Sequence, residues 1–274
     1  MIFPLRDYLP HARPPMVTLV LIALNVLVFF AGFGQEQSRS GAASAPKQDL
    51  WVYEWGTIPC ELFRKCSNQP AQARVTPSQD LFPGEAKRVV QVSVAEHSPW
   101  LTILASAFLH GGLLHLAGNM LFLWVYGGNV EDAMSKVTFL GFYLSAAVIS
   151  ALAQSIIQPG SAIPQIGASG AIAGTIGAYL VLYPRARVRS FIFPIPWLFR
   201  IPAWLVAGWW GVEQFLATWQ SVFVPGAGNN GVAYMAHLAG FAFGLAVIRS
   251  VGRASPEYHR LYGGGQPPPQ HGYG

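Results

Sequence analysis

Residues 166–179, Ile-Gly-Ala-Ser-Gly-Ala-Ile-Ala-Gly-Thr-Ile-Gly-Ala-Tyr, constrain the fold more than any other stretch of the chain. Gly167, Gly170, Gly174 and Gly177 recur at steps of three, four and three, so on a helix they form one stripe. In water each glycine costs a helix about 1 kcal/mol against alanine. In a bilayer the same stripe lets a second backbone come very close. Pro164 can only precede or start a helix, which places Ser169 near a helix N-terminus. The first amides there have no partner within the helix. Ser169 is therefore either one more small packing residue or a nucleophile beside a ready oxyanion site.

The remaining composition agrees with a lipid setting. Of 274 residues, 52% are hydrophobic and 11% charged, against about 25% charged in a typical soluble domain. The predicted fold class is all-α, a polytopic membrane protein with a bundle of six transmembrane helices. The spans are placed at 16–34, 107–128, 137–157, 167–183, 203–220 and 231–248. The first run lacks a basic leader and a small-residue cleavage site, so it reads as a retained span rather than a cleaved signal. Residues 1–15 form an N-terminal segment and 16–250 the core, including a long polar loop at 35–98. Residues 251–274, rich in Gly, Pro and Gln, are predicted to be a disordered tail. The segment from Phe191 to Pro202 reads as a proline-broken entry into the fifth span. Trp51, Tyr53 and Trp55 suit either an element in the membrane interface or an ordinary loop.

Arginine placement orients the bundle. Arg6 and Arg13, Arg185, Arg187, Arg189 and Arg200, and Arg249, Arg253 and Arg260 all fall on one side. The positive-inside rule makes that side, with both termini, cytoplasmic in a bacterial-type plasma membrane. The 35–98 loop is then external, where Cys60 and Cys66 are either disulfide-bonded or free thiols. The net charge of +5 is dispersed and gives no nucleic-acid signal.

Polar residues at membrane depth mark candidate function. Counting about 1.5 Å per residue from the charged ends, Ser169 and His115 lie roughly 24 Å up. Asn119 and His237 lie roughly 18 Å up on the same scale. Three helices thus bring polar groups to one layer. His115 and Asn119 share a face, and His237 heads a seam of small residues with Gly240 and Gly244. Packing that seam on the glycine stripe brings His237 to Ser169. Glu213 lies in the oblique fifth span, facing either a functional site or a polar crevice.

His110, His115 and Asn119, then Gly167-Ala168-Ser169-Gly170, then Ala236-His237-Leu238-Ala239-Gly240 through Gly244, resemble the rhomboid family of intramembrane serine proteases. The resemblance covers roughly residues 16–250. It implies Ser169 as nucleophile and His237 as general base, a dyad without an acidic third member. His115, Asn119 and the Ser169 amide would hold the oxyanion. His110 would organise the external loop, Gly167, Gly170 and Gly240 would shape the site, and Trp204 would stand near a lateral gate for substrate. Implied partners are transmembrane protein substrates and the bilayer, without cofactor or metal. Two positions depart from the family pattern. Ala173 stands where many members carry an aromatic that stacks on the histidine, so another group must orient His237. Leu101 follows Trp100 where the family has a Trp-Arg pair. Slow turnover is expected of a base with no carboxylate behind it. The rivals are a catalytically silent member that binds membrane clients, a transporter and, lacking His-Glu-x-x-His, a metalloprotease.

Overall fold

The computed structural model describes residues 2–34, 47–66, 72–75, 88–91, 97–223 and 232–262. The first apolar run is helix α1 (Met16–Gly34), with the bounds expected. Short helices α2 (Lys47–Trp55) and α3 (Pro59–Leu62) follow. The rest of the predicted 35–98 loop lies largely outside the described residues. Next come α4 (Pro99–Ala105), continued by a 3₁₀ turn over Ser106–Phe108, and α5 (Leu113–Asp132). Helices α6 (Lys136–Ile157), α7 (Ser169–Leu182), α8 (Ala203–Phe223), α9 (Tyr234–Val251) and α10 (Pro256–Tyr262) complete the helical set.

By length and composition α6 and α9 can each cross a membrane, and α4 with α5, apolar enough only when taken together, meet at an 80° bend, which makes them either a broken span or a re-entrant pair. Gly111 and Gly112 sit at that break, so the continuous helix expected over 107–128 is interrupted between Phe108 and Leu113. α1 and α7 are shorter apolar helices.

A small three-stranded sheet stands at the end of the bundle where α7 finishes. β1 (Ile2–Asp7) pairs antiparallel with β4 (Arg187–Ile192), which pairs with β5 (Ile195–Pro202); β2 (Gln72–Val75) and β3 (Arg88–Gln91) form a separate pair. The segment read as a proline-broken helix entry is therefore largely a β-hairpin. The strand leading into it alternates, with Val188 and Ser190 buried between exposed Arg187 and Arg189, and β5 pairs back on that strand. β5 runs straight into α8, where the Ala203 and Trp204 amides donate to the carbonyls of Ala186 and Pro184.

α7 is the axis of the fold. Every residue from Gly170 to Tyr179 is buried, as a helix enclosed by others requires. Its glycine stripe meets α9 backbone to backbone. A Cβ on Gly240 would stand 2.1 Å from the Gly170 carbonyl oxygen, and one on Gly244 would stand 1.9 Å from that of Gly174.

Buried acids tie the chain together at the end of α7 away from Ser169. Glu131 accepts from the Val17 and Thr18 amides at 3.0 and 2.8 Å and from the Thr18 hydroxyl at 2.8 Å, capping α1. Asp7 accepts from Tyr179 at 2.6 Å, Asn129 at 2.5 Å and the Leu9 amide at 2.9 Å. Burial raises the Asp7 carboxyl to about 6 against these hydrogen bonds. The predicted tail is not wholly disordered, because Tyr258 of α10 is buried and its hydroxyl accepts the Arg185 amide. Residues 263–274 lie outside the described ones.

Candidate active site

α7 begins at Ser169, so the Ser169 amide is among the first-turn N–H groups that no helix carbonyl reaches. The segment before it is held on two sides. Thr57 and Gln165 exchange backbone hydrogen bonds at 3.1 and 2.8 Å, and the Gly167 amide donates to the Ser106 carbonyl at 2.9 Å. Thr57, fully buried, also bonds the Ser106 hydroxyl and the Thr102 carbonyl, joining α4 to the same junction. Nearby, Cys60 and Cys66 form a disulfide, which decides between the two states the sequence allowed. The Cys60 amide donates to Ser161 in the α6–α7 connection. Trp51 packs near Gly32 of α1 and Trp55 stacks on His97 at 3.8 Å, so these two aromatics of α2 make contacts within the protein.

His237 reaches across the α7–α9 seam, its Nε2 standing 2.8 Å from Ser169 Oγ. Both side chains are half-buried. The other ring nitrogen, Nδ1, is 2.9 Å from Gln214 Oε1 of α8. A carboxamide oxygen only accepts, so Nδ1 carries the proton and Nε2 is free to receive one. Trp210, one turn before Gln214, lies against the same ring with centroids 6.1 Å apart. Ala173 is fully buried, and α8 supplies the groups beside His237 instead.

His115 and Asn119 converge on Gly167. A Cβ there would meet the His115 ring at 2.9 Å and Asn119 Nδ2 at 3.6 Å. With φ at +115°, the position favours glycine on backbone grounds as well. Asn119 is buried, and its Nδ2 has no hydrogen-bond partner among the described residues. A buried donor left unpaired is costly unless something else accepts from it. His110 is buried against His115 with ring centroids 5.1 Å apart, and it lines a cavity with Trp51 and Val52 of α2. Gly170 and Gly240 lie in the seam beneath Ser169 and His237, each facing Ser150 of α6.

Two further residues singled out in the sequence lie on α8. Trp204 stands at the foot of α8 beside Pro184, about 15 Å along the helix from Gln214. The reason is that α8 starts at the sheet, at the end of α7 opposite Ser169. Trp210 is the tryptophan beside the histidine. Glu213 accepts from Trp209 on its own helix at 2.7 Å, leaving Gln214 as the residue of that pair that meets His237. Sequence reasoning passed over Gln214, although a polar amide four residues past Trp210 at membrane depth was a signal.

The Rhomboid domain family model matches residues 97–254, which hold both members of this pair and both donors. The chain belongs to the rhomboid family. It is an integral membrane protein. Among relatives, this rhomboid is 31% identical over 153 residues to "Rhomboid protein 1, mitochondrial" of Saccharomyces cerevisiae, covering 53% of this chain and 40% of the yeast protein. It is 33% identical over 95 residues to the human "Presenilin-associated rhomboid-like protein, mitochondrial", covering 34% and 25%. To "Rhomboid protease GluP" of Bacillus subtilis it is 39% identical over 88 residues, covering 32% and 17%. This rhomboid thus spans two-fifths or less of the length of these relatives. Several of them are mitochondrial by name, which lends no support to the bacterial-type plasma membrane expected from sequence.

Proposed function

We propose that this rhomboid is an intramembrane serine endopeptidase acting on membrane-protein substrates. The observation that carries the reading is the 2.8 Å contact of His237 Nε2 with Ser169 Oγ, beside a buried, unpaired Asn119 amide. His237 takes the Ser169 proton as Oγ attacks the scissile carbonyl, then returns it to the leaving amine. The oxyanion is received by Asn119 Nδ2, the His115 ring and the Ser169 amide. Water then attacks the acyl-enzyme with His237 again as base, and Ser169 is released.

Six crossings are proposed: α1, the broken α4–α5, and α6 to α9, with both termini on the arginine-rich side. At about 1.5 Å per residue the 14 residues of α7 reach only about 21 Å, against a hydrocarbon core of about 30 Å. Ser169 then lies in a hollow below one surface, where irregular backbone is tolerated because it lines a cavity. A substrate span must present an exposed carbonyl there, which favours segments loosened by Gly, Pro or polar residues.

The test is a fluorophosphonate probe on native membranes, comparing wild type with Ser169→Ala and His237→Ala. Labelling of wild type alone is expected. Equal labelling of wild type and Ser169→Ala overturns the assignment, and no labelling of wild type under conditions that label a control serine protease supports a non-cleaving, client-binding member instead.

A further inference from the structure

The geometry points to Gln214 as the residue that sets the tautomer and ring position of His237, so that the Ser169–His237 pair is held by a third, positioning side chain. It rests on the protease reading and adds a third member drawn from a different helix.

Three observations carry it. First, the contact is aimed: Gln214 Oε1 stands 2.9 Å from Nδ1, while Ser169 Oγ stands 2.8 Å from Nε2. The ring is held at both nitrogens, and only the Nδ1-protonated tautomer satisfies a carbonyl on one side and a hydroxyl proton on the other. Free imidazole would exchange tautomers, and the one protonated at Nε2 cannot take a proton from serine. Second, α8 is brought close at this level. A Cβ on Gly211 would meet the Phe241 ring at 2.8 Å, and Trp210 contacts both Phe241 and His237. Gln214 lies three and four residues past these positions, so it shares their face. Third, among the described residues no other side chain is hydrogen-bonded to Nδ1 of His237. Position 173 is alanine, Glu213 is engaged with Trp209, and among charged or titratable side chains the neighbour acting on His237 is His115, on α5.

Gln214 touches neither the nucleophile nor the carbonyl, so it is a positioning residue. A neutral amide fixes the ring without placing a charge beside it. It holds the base ready but adds none of the basicity that a carboxylate would.

The test compares wild type, Gln214→Leu and Gln214→Glu in two readouts. In membranes, fluorophosphonate labelling of Gln214→Leu is expected to slow roughly 10- to 100-fold. Cleavage of a transmembrane substrate should lose kcat with little change in KM. In Gln214→Glu the rate should recover at high pH. Its acid limb should move to higher pH, because a carboxylate beside the ring favours imidazolium, which is not a base. The second readout needs no activity: ¹⁵N NMR of histidine-labelled protein in bilayers, with His237→Asn identifying the signal. Wild type should show His237 protonated at Nδ1, and Gln214→Leu should show a mixture. A Gln214→Leu variant with the wild-type rate, pH limb and tautomer overturns the proposal. If wild type fails to react with the probe, the protease reading falls and the NMR comparison still decides the role of Gln214.

Discussion

A single methyl group in the α7–α9 seam should separate the proposed catalytic pair. In Gly240→Ala the new Cβ stands 2.1 Å from the Gly170 carbonyl oxygen and 2.6 Å from Ser150 Oγ. A carbon–oxygen contact needs a little over 3 Å, so the two backbones must part by roughly 1 Å. No flexible side chain can absorb this, because the opposing atom is backbone of the enclosed helix. Gly170 follows Ser169 directly and His237 lies one turn before Gly240, so the separation passes into their contact. Lengthened from 2.8 Å by about 1 Å, it exceeds hydrogen-bonding range. A misplacement of that size can cost on the order of 10²-fold in rate, and overpacking costs about 1–3 kcal/mol of stability. The assay is the rate of fluorophosphonate labelling of Ser169 in membranes, beside the thermal unfolding midpoint. Gly141→Ala on α6 is the control, because a Cβ there meets nothing within 4 Å. Labelling of Gly240→Ala at the wild-type rate would refute the reasoning.

Further outcomes follow from other parts of the structure. Asn119→Leu keeps most of the side-chain volume but removes a donor, and kcat should fall about 10²- to 10³-fold with KM held, as steady-state cleavage would show. Asp7, raised by burial from 3.8 to about 6, binds its proton more tightly folded than unfolded. The contribution of Asp7 to stability should therefore be greatest at the acid end and fall as pH rises from about 4 through 6, by on the order of 3 kcal/mol. Asp7→Asn should flatten that slope in unfolding midpoints measured across the window. Glu131→Ala strips three acceptor contacts from the start of α1 and should cost about 1–3 kcal/mol, read from the same midpoints.

The parts of this fold legible in the sequence were those written in spacing. Glycines three and four apart in α7, and Gly240 and Gly244 after His237, encode a contact that needs no side chain, so their pattern alone announced the seam. The joint depth of Ser169, His115, Asn119 and His237 followed from helical rise. What stayed hidden depended on rotation or on short range. Glu213 and Gln214 are neighbours in sequence but about 100° apart on the helix, and the sequence does not say which one turns toward α9. Pro194, Pro196 and Pro202 make Phe191–Pro202 look like a broken entry into the fifth span, and only the pairing of β5 with the alternating Arg187–Ser190 stretch shows it to be a hairpin. The Gly- and Pro-rich composition after Tyr262 coloured the reading of Pro256–Tyr262, where Tyr258 has a buried place to go.

The sheet at the foot of α8 works as a plinth. β5 is paired with β4 from Leu198 to Pro202 and continues without a loop into the helix, whose first amides are fastened to Ala186 and Pro184. A rod clamped at one end swings most at the other. Over the roughly 16 Å from Ala203 to Gln214, a lean of only about 5° carries the amide more than 1 Å from its histidine. Any tilt of α8 that widens the gap beside α9 therefore also slackens the contact that orients His237.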